Sequence, residues 1–253
     1  MSKKKEFGVC HICGRYGELT YEHIPPQSTF NSTRRKLCTV DTLLCAPSRD
    51  NRPPWDQTGL RYKQFQSGVG FNTLCGKCNS FTGSKYGVEF AKVVQGIGHE
   101  ILKIPPDERK GIITFTIQDV NVLAFFKQVI SMFCSVNNPQ FGERFRNFLL
   151  DENSTDFDNT QYRVFTYLHS GKVVRYVPLQ GQADIKNGGF VLFSEISAFP
   201  LGFILYILTE KTAENFCGCD ITLFSAQNSL RAVKMPIPFL TCNTPFGLDF
   251  RDL

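Results

Sequence analysis

Hydrophobic and polar positions along the chain keep two rhythms, which change near residue 104. Leu19-Thr20-Tyr21-Glu22-His23-Ile24 alternates as a short strand and is closed by Pro25-Pro26, which offers no donor to a ladder. Residues 27–70 have weak periodicity, many Ser, Thr, Arg and Pro, and a Gly68-Val69-Gly70 hinge, so they read as an inserted loop region with little regular structure. Tyr86, Phe90, Val93 and Val94 then recur at helical spacing, and Gly96 and Gly98 are expected to stop the run.

Ile104-Pro105-Pro106-Asp107 interrupts both rhythms and marks the expected boundary between domains 1–103 and 104–253. Beyond it, Ile112 to Ile117 reads as a strand. Asp119 is placed to cap a helix from Val120 to about Val136 that is apolar on most faces and hence buried. A shorter helix is expected near Phe141 to Leu150. Strand-like runs follow at 162–168, 172–177, 190–199, 201–209, 221–224 and 232–237, with turns at Ser170-Gly171, Asn187-Gly188-Gly189 and Pro200, which suggests antiparallel hairpins. The expected class is α+β, an N-terminal module followed by a mixed domain rich in antiparallel strands.

Composition changes this picture little: 42% hydrophobic and 20% charged residues over 253 positions exclude dominant disorder, and 24 Phe can fill a sizeable core without disulfides. The apolar runs 120–136 and 190–208 are broken by Lys127, Gln128, Glu195 and Pro200, so no membrane span is expected. No secretory signal is visible after Met1, and the expected compartment is a reducing cytoplasm. Charge is more informative. The first 100 residues hold 14 Lys and Arg against 8 Asp and Glu, the remainder 14 against 15, so the whole basic excess lies in the N-terminal part. Lys3-Lys4-Lys5 and Arg34-Arg35-Lys36, with Arg49, Arg52, Arg61 and Lys63, point to a polyanionic partner, most simply nucleic acid.

Ten cysteines in such a compartment suggest metal before disulfide. Cys10-x2-Cys13 and Cys75-x2-Cys78 have the spacing at which each pair grips one side of a tetrahedral zinc, with Gly14 and Gly76 beside them to ease tight turns. The 61 residues between the pairs would make the site close a long loop. The other six cysteines, Cys38, Cys45, Cys134, Cys217, Cys219 and Cys242, read as buried or half-buried free thiols.

Beside the first pair lies Glu22-His23-Ile24-Pro25-Pro26-Gln27-Ser28; beside the second lie Asn72 and Asn79. Over about residues 8–95 this pattern resembles the HNH endonucleases of the ββα-metal (His-Me finger) superfamily, notably members with a Cys-x2-Cys pair on each side and a final Asn. The resemblance implies a zinc-stabilised, treble-clef-like ββα-metal module that hydrolyses phosphodiester bonds in DNA. It implies that His23 is the general base, that Glu22 and Asn79 hold a catalytic Mg2+ or Mn2+, and that Asn72 fixes the loop carrying the base. Arg34, Arg35 and Lys36 would meet phosphates. The C-terminal domain would serve substrate, a protein partner or a regulator. Two other readings stand beside this one: a zinc-knuckle module that binds nucleic acid or protein without cutting, and an RNA-cutting nuclease on the same scaffold.

Overall fold

Strands β1 (Glu6–Val9) and β2 (Tyr16–His23) form an antiparallel hairpin whose turn is the first cysteine pair. This computed structural model describes residues 5–44, 59–169, 174–184, 189–210, 212 and 216–240. Lys3, Lys4, Cys45, Arg49, Arg52, Cys242 and the expected turns at Ser170-Gly171 and Asn187-Gly188 lie outside the described residues.

Strand β2 stops at His23, one residue before the first proline-bearing bond of Ile24-Pro25. The segment read as irregular contains a two-stranded ribbon, β3 (Arg35–Leu37) with β4 (Lys63–Phe65), and a one-turn helix α1 (Val40–Leu44). Strands of three residues are too short to give a period, which is why the sequence did not announce them. Strand β5 (Gly70–Cys75) completes a three-stranded sheet in the order β1-β2-β5, with a register shift between Thr20 and Tyr21. Helix α2 (Gly76–Thr82) follows at once and passes through a π-turn, Gly83–Gly87, into α3 (Val88–Leu102).

Helix α3 runs through both Gly96 and Gly98, against the expectation that they end it. Gly98 is there for space: a side chain would fall on the Phe30 ring and within 3.2 Å of Pro200. Neighbour packing, rather than helix termination, sets that position.

After a short 3-10 turn, Pro106–Glu108, strand β6 (Ile112–Val120) leads to α4 (Val122–Val136). The cap of α4 is Asn121, whose side chain accepts from Ala124 N at 2.9 Å, in place of the expected Asp119. Asp119 lies within β6 at φ 49°, so its backbone turns the chain toward the helix instead. Every residue from Val122 to Ser135 is buried. Helices α5 (Pro139–Glu143) and α6 (Arg146–Leu150) replace the single helix expected near 141–150, and Asn138 caps α5.

Then come β7 (Tyr162–Leu168), β8 (Arg175–Asp184), β9 (Gly189–Ser197), β10 (Leu201–Ile207), β11 (Cys219–Asp220) and β12 (Leu230–Pro238). The run expected as a strand at 221–224 is mostly a 3-10 turn, Thr222–Ala226. Five strands make an antiparallel sheet in the order β11-β7-β10-β9-β8, and β12 pairs with β6. The molecule is thus mixed α+β with antiparallel sheets, and among the described residues no helix is long and apolar enough to cross a membrane.

One apolar core includes Cys10, Ile12 and Ile24 of the first sheet, Phe90 and Ile97 of α3, most of α4, and Phe203, Met235 and Ile237 of the later strands. Phe90, Phe125 and Phe203 meet ring to ring at 5.5 to 6.2 Å, which joins α3, α4 and β10. The other face of the five-stranded sheet buries a polar group: Glu195 accepts from Arg175 Nη2 at 2.5 Å and from the Tyr167 hydroxyl at 2.6 Å. A buried carboxylate held this way pairs its charge and fixes strand neighbours.

Candidate metal centre

The first pair of cysteines sits in a turn closed by Cys10 N to Arg15 O and Gly14 N to Cys10 O, both 2.9 Å. Gly14 has φ +73°, a region open to glycine, so the chain can fold back within four residues. In the second pair, Cys75 ends β5 and is the N-cap of α2, while Cys78 lies in that helix's first turn. Pairing of Leu19 with Cys75 brings the two turns together. The four sulfurs lie within 4.8 Å of one another, and Cys13 Sγ and Cys75 Sγ are 3.9 Å apart.

Four sulfur donors at this separation, two buried and two half-buried, make a set that could hold a zinc ion. The thiols also share protons unevenly. A hydrogen bond from Cys78 is the main cause that pulls Cys10 down to about 4, while the same contact and burial push Cys78 up. A cation among the sulfurs would stabilise all of them as thiolates. His11, inside the first pair, turns away: its Nδ1 lies 2.9 Å from Cys134 O, in the last turn of α4.

The centre is packed under the helices of the second half. Ile12 has no exposed surface. Arg146 of α6 donates from Nε to Ile12 O at 3.2 Å, and its guanidinium fills the place of a side chain at Gly14. A side chain at Gly142 of α5 would fall on the His11 carbonyl. The first turn therefore rests on α4, α5 and α6 together.

The four residues expected to carry chemistry are placed differently from one another. Glu22 and His23 are neighbours on β2, and successive strand residues face opposite sides. Glu22 is buried and accepts a hydrogen bond from the Ser135 hydroxyl of α4. Burial pushes its carboxyl up to about 8; Ser135 opposes that shift and the Cys10 charge adds to it. His23 is half-buried, with Nε2 3.0 Å from Ser67 O and its ring 5.0 Å from that of Tyr21. Asn79, in α2, donates to Thr20 Oγ1 and Tyr21 O, both at 3.1 Å, so it lies against the strand that bears Glu22 and His23. Asn72, in β5 opposite Tyr21, donates to Glu6 Oε2 at 2.5 Å. The structure thus brings Asn79 to β2, sends Glu22 inward and bonds Asn72, on the edge strand β5, to Glu6 of β1.

Arg34, Arg35 and Lys36 lie at and in β3. Arg34 and Lys36 are exposed and Arg35 is half-buried. The ribbon pairs Lys36 with Gln64 and brings Tyr62 against Lys36, a grouping that the sequence separation hid. A cleft of about 690 Å³ opens between Pro26, Ser28 and the α3 residues Val88, Lys92, Gln95 and His99. Comparison with family models, with curated proteins and with solved structures finds no match.

Proposed function

We propose that this protein is a metal-dependent endonuclease of the HNH type, built around a structural zinc and acting on DNA. The observation that carries the reading is the unit β2-β5-α2: His23 ends its first strand, Asn79 stands in its helix against that strand, and a cysteine pair lies on either side. Cys10, Cys13, Cys75 and Cys78 would hold the zinc and keep strand and helix at a fixed spacing.

His23 is the general base. A carbonyl partner at Ser67 makes Nε2 the donor, so the neutral ring carries its lone pair on Nδ1, the atom that would take a proton from the attacking water. Asn79, held against this strand through its Nδ2, would offer Oδ1 to Mg2+ or Mn2+, which when bound would stabilise charge on the phosphate and the leaving oxygen. The C-terminal half would meet substrate, a partner protein or a regulator.

A second reading has its own support. Glu22 is buried and held as a neutral acid near pH 7, which suits a zinc-supported binding module that does not cut. Incubating the pure protein with plasmid, linear DNA and RNA, in Mg2+, Mn2+ or EDTA, separates the readings. The nuclease reading expects cleavage that EDTA abolishes and that His23→Ala lowers by about 100-fold to 10,000-fold without loss of zinc or binding. Nucleic acid that is bound but never cut would assign the binding module, and cleavage of RNA alone would change the substrate.

A further inference from the structure

The ribbon β3-β4 assembles a surface from two stretches far apart in sequence. Its register pairs Lys36 with Gln64, so the strand alternation puts Lys36, Tyr62 and Gln64 on one face. The Lys36 ammonium lies 4.2 Å from the centre of the Tyr62 ring. Arg34, just before β3, and Lys36, two positions on and so on this same face, are exposed, and 49% of Tyr62 remains open to solvent. Its phenol is drawn below the ordinary tyrosine range by Lys36 first and then by the charge of Arg34.

We propose that this ribbon binds single-stranded nucleic acid, with Arg34 and Lys36 on phosphates and the Tyr62 ring stacked on an unpaired base. The proposal rests on the nucleic-acid reading above and narrows its substrate class. Charges alone would serve any polyanion. The ring is what discriminates, since a duplex keeps its bases stacked inside and offers their edges in the grooves, whereas an unpaired base offers a whole face. Lys36 lies over the Tyr62 ring, and the residue keeps half of its surface open to solvent, where a base would stack; the cation strengthens such a stack. Stacking is tolerant of sequence, because every base has a π-face.

Binding of labelled oligonucleotides of one length, single-stranded and duplex, should be measured in EDTA so that nothing is cut. The wild type should prefer the single strand. Tyr62→Ala should weaken single-strand binding by about tenfold or more, Tyr62→Phe should keep it, and duplex binding should change little. Replacing Arg34 and Lys36 with Gln should make the salt slope shallower by up to about 2, a change that Tyr62→Ala does not share. Equal affinity for the two forms, a Tyr62→Ala protein that binds like wild type, or a wild type that binds neither would each overturn the proposal. Cleavage in Mg2+ or Mn2+ is read separately, so nuclease activity with an indifferent Tyr62 would sink this inference alone, and single-strand binding without cleavage would sink only the nuclease.

Discussion

Arg146 of α6 occupies the volume that a side chain at Gly14 would fill, 132 positions earlier in the chain, and donates to Ile12 O from the same guanidinium. The turn that presents Cys10 and Cys13 is therefore shaped by a residue of the other half. Gly14→Ala should destabilise the protein by about 1–2 kcal/mol, the cost of a left-handed backbone for an alanine, since the arginine can bend aside. Gly142→Ala should cost more, because the obstacle there is the His11 backbone carbonyl, which cannot swing away, and overpacking of this kind costs typically about 1–3 kcal/mol or more. Urea unfolding of the two variants checks the order, and zinc retention against a chelator should fall in the same order.

Removal of the metal should reach beyond the first sheet. Structural zinc contributes roughly 10 to 16 kcal/mol of binding energy in small motifs, and the cysteines that would hold it here flank Ile12, which is buried in the core shared with α4. Cys75→Ser, or chelation of the wild type, should release about one zinc per chain. It should also raise hydrogen exchange in α4 to α6 as well as in β1, β2 and β5. Elemental analysis and peptide-resolved exchange test this; protection that stays unchanged in α4 to α6 would show that the two halves fold independently of the metal.

Much of this arrangement was legible in the residues. Two Cys-x2-Cys pairs 61 residues apart came together as their spacing suggested, and Pro25-Pro26 ended β2 where a missing donor must. What was hidden depends on contacts distant in sequence. Gly98 looked like a helix stop until Phe30 and Pro200 filled its side-chain space. The family resemblance put Glu22 and His23 in one site, yet neighbours on a strand face opposite sides, and Ser135, 113 positions on, holds the carboxyl. The cationic ring surface at Tyr62 needed a pairing of three-residue strands that no periodicity reveals.

The start of α4 gives a local test. Asn121→Ala removes the acceptor of Ala124 N and should cost about 1 kcal/mol. Asp119→Gly should be neutral or stabilising, because the aspartate pays for its φ of 49° and its side chain is not the cap. Thermal melts of both variants decide between the two caps, and a larger loss from Asp119→Gly would restore Asp119 as the capping residue.

Glu22→Gln separates a structural carboxyl from a cation ligand. In the folded protein the carboxyl titrates at about 8, against 4.5 as the ordinary value, chiefly through burial. Between those values the folded chain holds a proton that the unfolded chain has lost, so this group's contribution to stability falls as pH rises from about 4.5 to about 8 and is level on either side. Glutamine cannot ionise and keeps an oxygen for the Ser135 hydroxyl. The variant should therefore gain on the wild type as pH increases, by a few kcal/mol at most across that window. Urea unfolding of both proteins at about pH 5, 7 and 8.5 measures the difference, and a difference that does not move with pH would mean that Glu22 is ionised throughout. Cleavage assayed on the same samples adds the functional half: a stabilised variant that cuts at the wild-type rate leaves Asn79 to hold the cation without Glu22, while a stabilised variant that has lost cleavage assigns Glu22 to the cation after release from Ser135.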